Sequence, residues 1–193
     1  HRVVPEKNDL NSILFLLTPA ETTSKMKGLV DHLVRFENLI KDDAPLSEAL
    51  PRLYEKHEER YKGYTIRRLC QEMHDFYKKN DAKTYQKLLF RRDYLPEYVI
   101  NPNEASIELK RNNAKLVPLS DIVGEIALEG ALPYPPGVFC VVPGERWNIV
   151  AQKYFLILEE GINKFPGFAP EIQGVYLEKE DNKVRAYGYV LDK

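Results

Sequence analysis

The stretch that most constrains the fold is Glu129–Trp147, EGALPYPPGVFCVVPGERW. It carries Pro133, Pro135, Pro136 and Pro143, four of the chain's 13 prolines, and three of its 10 glycines, Gly130, Gly137 and Gly144. Proline fixes φ, gives up its amide hydrogen and pushes the preceding residue towards an extended conformation. Tyr134-Pro135-Pro136-Gly137 therefore reads as a stiff, extended segment that turns at glycine. A short buried strand, Val138–Val142, is expected next, closed by Pro143-Gly144, with a helix opening near Glu145. Such a segment can hold a wall or mouth in place at little entropic cost, or it can be a structural turn in an ordinary core.

The other limits are broad. A chain of 193 residues makes one domain, or one domain and a piece of another. Its 44% hydrophobic and 30% charged residues are the balance of a soluble globular chain. The formal net charge of −1 argues against nucleic-acid binding. No apolar run approaches the roughly 18 residues of a membrane span. Cys70 and Cys140 each sit inside an apolar pattern and read as buried thiols in a reducing compartment. Neither the cysteines nor the four scattered histidines have metal-ligand spacing. The chain opens on a charged segment without an initiator methionine, so a piece of a longer polypeptide is expected.

In chain order, Leu10–Leu17 is apolar nearly throughout and predicts a strand buried on both faces, its partners lying outside this chain. Thr18-Pro19-Ala20-Glu21 predicts a helix start with a capping box. Met26, Leu29, Val30, Leu33, Phe36, Leu39 and Ile40 follow at helical spacing, and the helix is expected to end near Lys41-Asp42-Asp43. Ala44-Pro45 marks a boundary. Leu46, Leu50, Leu53 and Tyr54 suggest a short helix broken by Pro51, and His57–Arg60 a charged connection.

Thr65 caps the next helix, with Ile66, Leu69, Cys70, Met73, Phe76 and Tyr77 on one face. His74 beside that stripe reads as a boundary residue more readily than as a ligand. Helices are also expected over 82–92 and from Asn101-Pro102-Asn103-Glu104 to about Asn112. Short strands are read at Leu116–Leu119 and Ile122–Ala127. A helix then buries Trp147, Val150, Ala151, Tyr154, Phe155, Leu158 and Ile162, its end uncertain because Gly161 falls inside the pattern. Phe165–Pro170 is a rigid turn. Val175–Leu177 and Val184–Val190 pair as a hairpin around Glu180-Asp181-Asn182-Lys183. The fold class is α+β, helices first and a small sheet after.

No motif for phosphate binding, dinucleotide binding, metalloprotease or serine hydrolase chemistry is present. Glu6, Glu129, Glu145 and Glu171 stand near the expected strand and turns. On pattern alone they are solvated or turn-capping carboxylates.

Four segments carry a resemblance: LNSILFLLTPAE, APLSEALPRLY, GALPYPPGVFCVVPGE and LEEGINKFPGFAPEIQGVY. Over essentially its whole length the chain resembles the C-terminal part of the pyridoxal-phosphate-dependent ornithine/lysine/arginine decarboxylases. LPYPPG is common to that family, and VFCVVPGE with PGFAPEIQGVY points to the ornithine branch. The resemblance implies an aspartate-aminotransferase-type core with an N-terminal wing and an added C-terminal domain. Residues 1–42 would be the last strand and helix of the core's small domain, and 43–193 the C-terminal domain.

In the family the cofactor is anchored by a lysine in a Ser-x-His-Lys motif, and this chain has no His-Lys dipeptide. Pyridoxal 5'-phosphate would therefore be held by residues upstream, and the isolated chain is expected to release no carbon dioxide. The resemblance around VPEKND puts Glu6 at the distal amine of the bound diamino acid, where a carboxylate suits a second ammonium. It also makes Tyr134, Pro135, Pro136 and Gly137, with Glu145 nearby, candidates for the active-site entrance. The partners implied are the large cofactor domain of the same polypeptide and a second copy in a cytoplasmic homodimer. The same role in a lysine or arginine decarboxylase is the alternative within the family. A non-catalytic assembly or regulatory role for Pro45–Arg92 is the alternative outside it.

Overall fold

The computed structural model describes residues 3–8, 12–134 and 137–192. The chain forms two compact units, His1–Phe76 and Tyr77–Lys193.

In the first unit a two-residue strand, β1 (Lys7–Asn8), pairs antiparallel with β2 (Ile13–Leu14). Only Ser12–Leu17 of the expected strand Leu10–Leu17 lies within the described residues. Ile13, Leu14, Leu16 and Leu17 are exposed there rather than buried.

Helix α1 (Thr23–Lys41) begins later than the sequence suggests. Its cap is Thr22, whose side chain accepts from the Lys25 amide at 3.3 Å. Thr18–Glu21 is a turn, with the Glu21 amide donating to the Thr18 carbonyl at 3.0 Å. A proline's fixed φ suits the second position of a turn as well as the first position of a helix, so the two look alike in sequence. Glu21 pairs with Lys25 instead of closing a capping box. The helix ends at Lys41 as expected. Arg67 covers that end, donating from Nε to the Ile40 carbonyl at 3.0 Å and from Nη2 to the Lys41 carbonyl. A cation is favoured there by the helix dipole.

Pro51 does break the next segment. It ends α2 (Leu46–Ala49) and takes the first turn of α3 (Pro51–Lys56). The expected charged connection is itself a short helix, α4 (Glu58–Tyr61), because Tyr61 becomes fully buried. Thr65 caps α5 (Ile66–Lys79), accepting from the Arg68 amide at 3.2 Å. Arg60 and the Tyr64 hydroxyl both donate to the Glu72 carboxylate, at 2.9 and 2.8 Å, and so tie α4 to α5.

In the second unit α6 (Ala82–Leu88) stops short of Arg92, and a single tight turn, Arg92–Tyr94, follows. Strand β3 (Glu97–Tyr98) leads to α7 (Pro102–Lys110), where Asn101 and Glu104 complete the expected capping box. Strand β4 (Ala114–Pro118) overlaps the strand read at Leu116–Leu119 but starts earlier and stops before Leu119. Ile122–Ala127 is not a strand: a tight turn over Leu119–Asp121 precedes it, and Gly124, at φ +91°, turns the chain back. Only isolated bridges form there, from Ile126 to Arg146 and from Ala127 to Val190.

Strand β5 (Leu132–Tyr134) comes before the double proline. Val138–Val142 forms no strand, and Val138 and Phe139 are half exposed. Glu145 lies in β6 (Glu145–Arg146), paired with β3, and opens no helix. Helix α8 (Ile149–Lys164) starts after Asn148, whose Oδ1 accepts from the Ala151 amide at 2.9 Å. It runs through Gly161 to Lys164. After β7 (Glu171–Gln173) come β8 (Tyr176–Glu180) and β9 (Lys183–Leu191), the expected hairpin. Asp181 and Asn182 both take positive φ, at 46° and 64°, as a two-residue turn matched to strand twist requires.

The sheet order is β4-β9-β8, antiparallel throughout, and β5 pairs separately with β7. Helix α8 buries all the positions read as its inner face, Val150, Ala151, Tyr154, Phe155, Leu158 and Ile162, and Trp147 before it is buried too. Trp147 and Tyr154 both meet Phe155 edge to face, with centroids 5.6 and 5.8 Å away. Gln152 is the buried polar side chain among the described residues, and it donates to the Leu119 and Ser120 carbonyls, both at 2.8 Å.

Phe155 is 1% exposed at the centre of this cluster. Phe155→Ala is expected to destabilise the second unit by roughly 3–5 kcal/mol, read from the denaturant midpoint.

Candidate functional site

The Pro/Gly stretch divides into a buried base and an exposed tip. At the base, Ala131, Leu132, Cys140 and Val141 are buried. The Ala131 amide donates to the Val141 carbonyl, and the Cys140 amide to the Ala131 carbonyl, both at 2.9 Å. Strand β5 is held from its other side by β7, in the register Leu132 with Gln173 and Tyr134 with Glu171. The β7 end is fixed by a close approach. At Gly174, φ is +69° and an added Cβ would lie 2.2 Å from the Gly130 carbonyl oxygen.

The tip carries Tyr134, Val138 and Phe139, each about half exposed. The Gly137 amide donates to the Pro133 carbonyl at 3.1 Å, and φ at Gly137 is +73°. A Cβ there would sit 3.0 Å from the Tyr134 ring, so ring and turn are in contact. Phe139 lies across Gly130, where a Cβ would come within 2.3 Å of its ring. Pro135 and Pro136 fall outside the described residues.

Tyr134 and Gly137 thus lie side by side at the tip. Glu145 does something more local: its carboxylate accepts from the Val142 amide at 2.8 Å and closes the turn around Pro143-Gly144. Glu6 belongs to the first unit. Its amide donates to the Leu14 carbonyl at 2.8 Å, and its side chain is exposed.

One pair escaped the sequence reading. The Tyr176 hydroxyl donates to Glu129 Oε2 at 2.6 Å, and the Tyr176 ring meets Tyr189 edge to face at 5.0 Å. The Glu129 carboxylate holds the Tyr176 proton, with partial burial adding to it, and pushes the phenol up to about 12. The tyrosines of the hairpin, Tyr176, Tyr187 and Tyr189, were a signal that aromatic side chains gather on this sheet. Cys140, at the base, has its thiol pushed up to about 12 by burial. Cys70 is raised too, also by burial. Among the described residues no group of three or more His, Cys, Asp and Glu side chains is placed to hold a metal, and no helix is long and apolar enough to cross a membrane.

This α+β arrangement packs a Pro/Gly strap on a helix and a small antiparallel sheet. The chain belongs to the Orn/Lys/Arg decarboxylase family, whose C-terminal domain model matches residues 83–192. It is 63% identical over 192 residues to the inducible ornithine decarboxylase of Lactobacillus sp. (strain 30a), covering 100% of this chain and 26% of that protein. It is 65% identical over 190 residues to the ornithine decarboxylase of Haemophilus influenzae, covering 98% and 26%. Among solved structures it resembles lysine decarboxylase A from Pseudomonas aeruginosa, with a TM-score of 0.89 at 28% identity over 98% of this chain and 26% of that one. The chain spans about a quarter of the length of the curated relatives it matches.

Two outcomes follow from the strap's geometry. Gly174→Ala meets backbone and a positive φ together, so it is expected to lower stability by more than about 1 kcal/mol. Gly130→Ala meets only the movable Phe139 ring; it is expected to cost less and to speed chymotryptic cleavage after Phe139. For Cys140, the fold favours the protonated thiol. The stability this contributes is present below the ordinary value of 9.0 and is lost as pH rises towards about 12. Thiol labelling at pH 8 is expected to reach Cys70 first and Cys140 only at the rate of global unfolding.

Proposed function

We propose that this chain is the C-terminal part of an ornithine decarboxylase, which converts L-ornithine to putrescine and carbon dioxide. The observation that carries the reading is the contrast in identity. The chain is 63–65% identical to two ornithine decarboxylases, but 28% identical to a lysine decarboxylase of the same fold.

Pyridoxal 5'-phosphate would supply the electron sink for the carbanion left by decarboxylation. The residues here do not suit it. No lysine among the described residues is buried, so none offers the desolvated amine that anchors an aldehyde. The sequence also lacks the His-Lys dipeptide. The cofactor's ligands therefore belong to the upstream polypeptide, and no chemical step is assigned to this chain.

What the chain contributes in this reading is recognition and shape. Residues 1–42 complete the small domain of the core, and 43–193 form the C-terminal domain of a cytoplasmic homodimer. Glu6, exposed and fixed through its backbone to β2, pairs with the distal ammonium of the substrate. The strap from Tyr134 to Gly137 forms a rim of the active-site entrance, stiffened by Pro135 and Pro136, and Glu145 holds the turn behind it.

The test is product formation by the intact enzyme from ornithine, lysine and arginine. Putrescine from ornithine at the highest kcat/KM is expected; a preference for lysine or arginine reassigns the substrate. In the same enzyme Glu6→Gln is expected to lower kcat/KM for ornithine about tenfold to a hundredfold, the loss of one charge-assisted hydrogen bond. An unchanged value removes Glu6 from the site. Deletion of 43–193 is expected to abolish activity, whereas a domain serving assembly alone would leave it.

A further inference from the structure

Between Leu128 and Ala131 the chain passes from the sheet to the strap. On one side the Leu128 amide donates to the Tyr189 carbonyl at 3.0 Å, and on the other the Ala131 amide donates to the Val141 carbonyl at 2.9 Å. Glu129 and Gly130, the two residues between, make no backbone hydrogen bond among the described residues. Two other contacts place them. The Gly130 carbonyl oxygen lies against Gly174, where an added Cβ would be 2.2 Å from it. The Glu129 carboxylate accepts from the Tyr176 hydroxyl at 2.6 Å. The first contact sets how near the two stretches come but has no bond to hold them there. The second is directional, charge-assisted and short.

Gly130 is also the floor of an exposed ring. Phe139 is half exposed, yet its ring lies so close over Gly130 that a Cβ there would come within 2.3 Å of it. A line of contacts therefore runs outwards from the sheet. The Tyr189 ring backs the Tyr176 ring at 5.0 Å, the Tyr176 hydroxyl holds Glu129, and Glu129 fixes Gly130 beneath Phe139. A ring seated in this way need not be ordered again each time a ligand meets it.

We propose that Tyr176 is a positioning residue of the active-site entrance: through Glu129 and Gly130 it holds the Phe139 ring at the mouth, where the ring guides the aliphatic chain of the entering diamino acid. The proposal rests on the reading of the strap as a rim and adds Tyr176, Glu129 and Phe139 to it.

The test uses the complete enzyme. Tyr176→Phe removes one hydroxyl and keeps the ring on Tyr189. Amide hydrogen exchange over 137–141 is expected to speed up about threefold to tenfold, the worth of one hydrogen bond, while exchange in α8 stays as it was. KM for ornithine is expected to rise about twofold to fivefold at unchanged kcat. Glu129→Ala is expected to do the same, and the two changes together no more than either alone, because they remove one interaction. Phe139→Ala is expected to raise KM as Tyr176→Phe does. Tyr187→Phe, which loses a hydroxyl bonded to Glu180 on the same sheet, is expected to alter neither exchange at the strap nor KM.

Unchanged exchange in Tyr176→Phe, additive effects of the two changes, or an equal effect of Tyr187→Phe overturns the proposal and leaves the rim reading standing. Faster exchange with KM and kcat both unchanged, in Tyr176→Phe and in Phe139→Ala, overturns it by the other route. The latch is then real, and the strap lies away from the entrance.

Discussion

The second unit depends on one close approach. At Gly144 the backbone takes φ +91°, and an added Cβ would fall 2.1 Å from the Ile100 carbonyl oxygen. No other residue fits there without moving backbone. From that position the Gly144 amide donates to the Ala127 carbonyl at 2.7 Å, and its carbonyl accepts from the Val99 and Ile100 amides, both at 3.1 Å. Three stretches far apart in sequence are tied at one residue. Its consequences run forward along the chain. Glu145 and Arg146 are delivered into pairing with β3, Trp147 is delivered into the core, and Asn148 is left where it can cap α8. Arg146 reinforces the joint, donating to the Glu97 carboxylate at 2.8 Å and to the Gly124 carbonyl at 2.7 Å.

This explains which features could be read from the chain and which could not. The Asn101–Glu104 capping box, the Asp181-Asn182 hairpin and the inner face of α8 are all set by residues within a few positions of one another. Local chemistry decides them, and the structure agrees with the reading. The strand at Glu145–Arg146 is decided by Glu97 and Tyr98, almost fifty residues away, so Pro143-Gly144 looked like the threshold of a helix. The same holds for Val138–Val142. Its apolar residues have the composition of a strand, but the partner strand β7 is taken by Leu132–Tyr134. Thr18 and Thr22 both precede helix-compatible residues. Only the geometry shows which one turns its hydroxyl to an orphan amide.

The stiff strap was legible in part for the same reason. Prolines and glycines announce a stiff strap whatever lies around it, and the turn at Gly137 could be read from them, but the entrance role of Tyr134 and Gly137 came only with the resemblance. The strap has a buried part and an exposed part. Ala131, Leu132, Cys140 and Val141 form the turn; Tyr134, Val138 and Phe139 stand out from it. The Glu129–Tyr176 pair was out of reach because its members are 47 positions apart and meet only once β8 is placed.

An exposed aromatic side chain usually costs order, since burial is what normally holds a ring still. Here the rings at the strap are held by other means. Phe139 has Gly130 as its floor, Tyr134 packs against the turn at Gly137, and Tyr176 is fixed at both ends, by Glu129 at its hydroxyl and by Tyr189 at its ring. Each support needs a residue with no side chain, or a hydrogen bond that survives partial exposure. A surface built this way keeps its shape while leaving the aromatic edges free to meet something else.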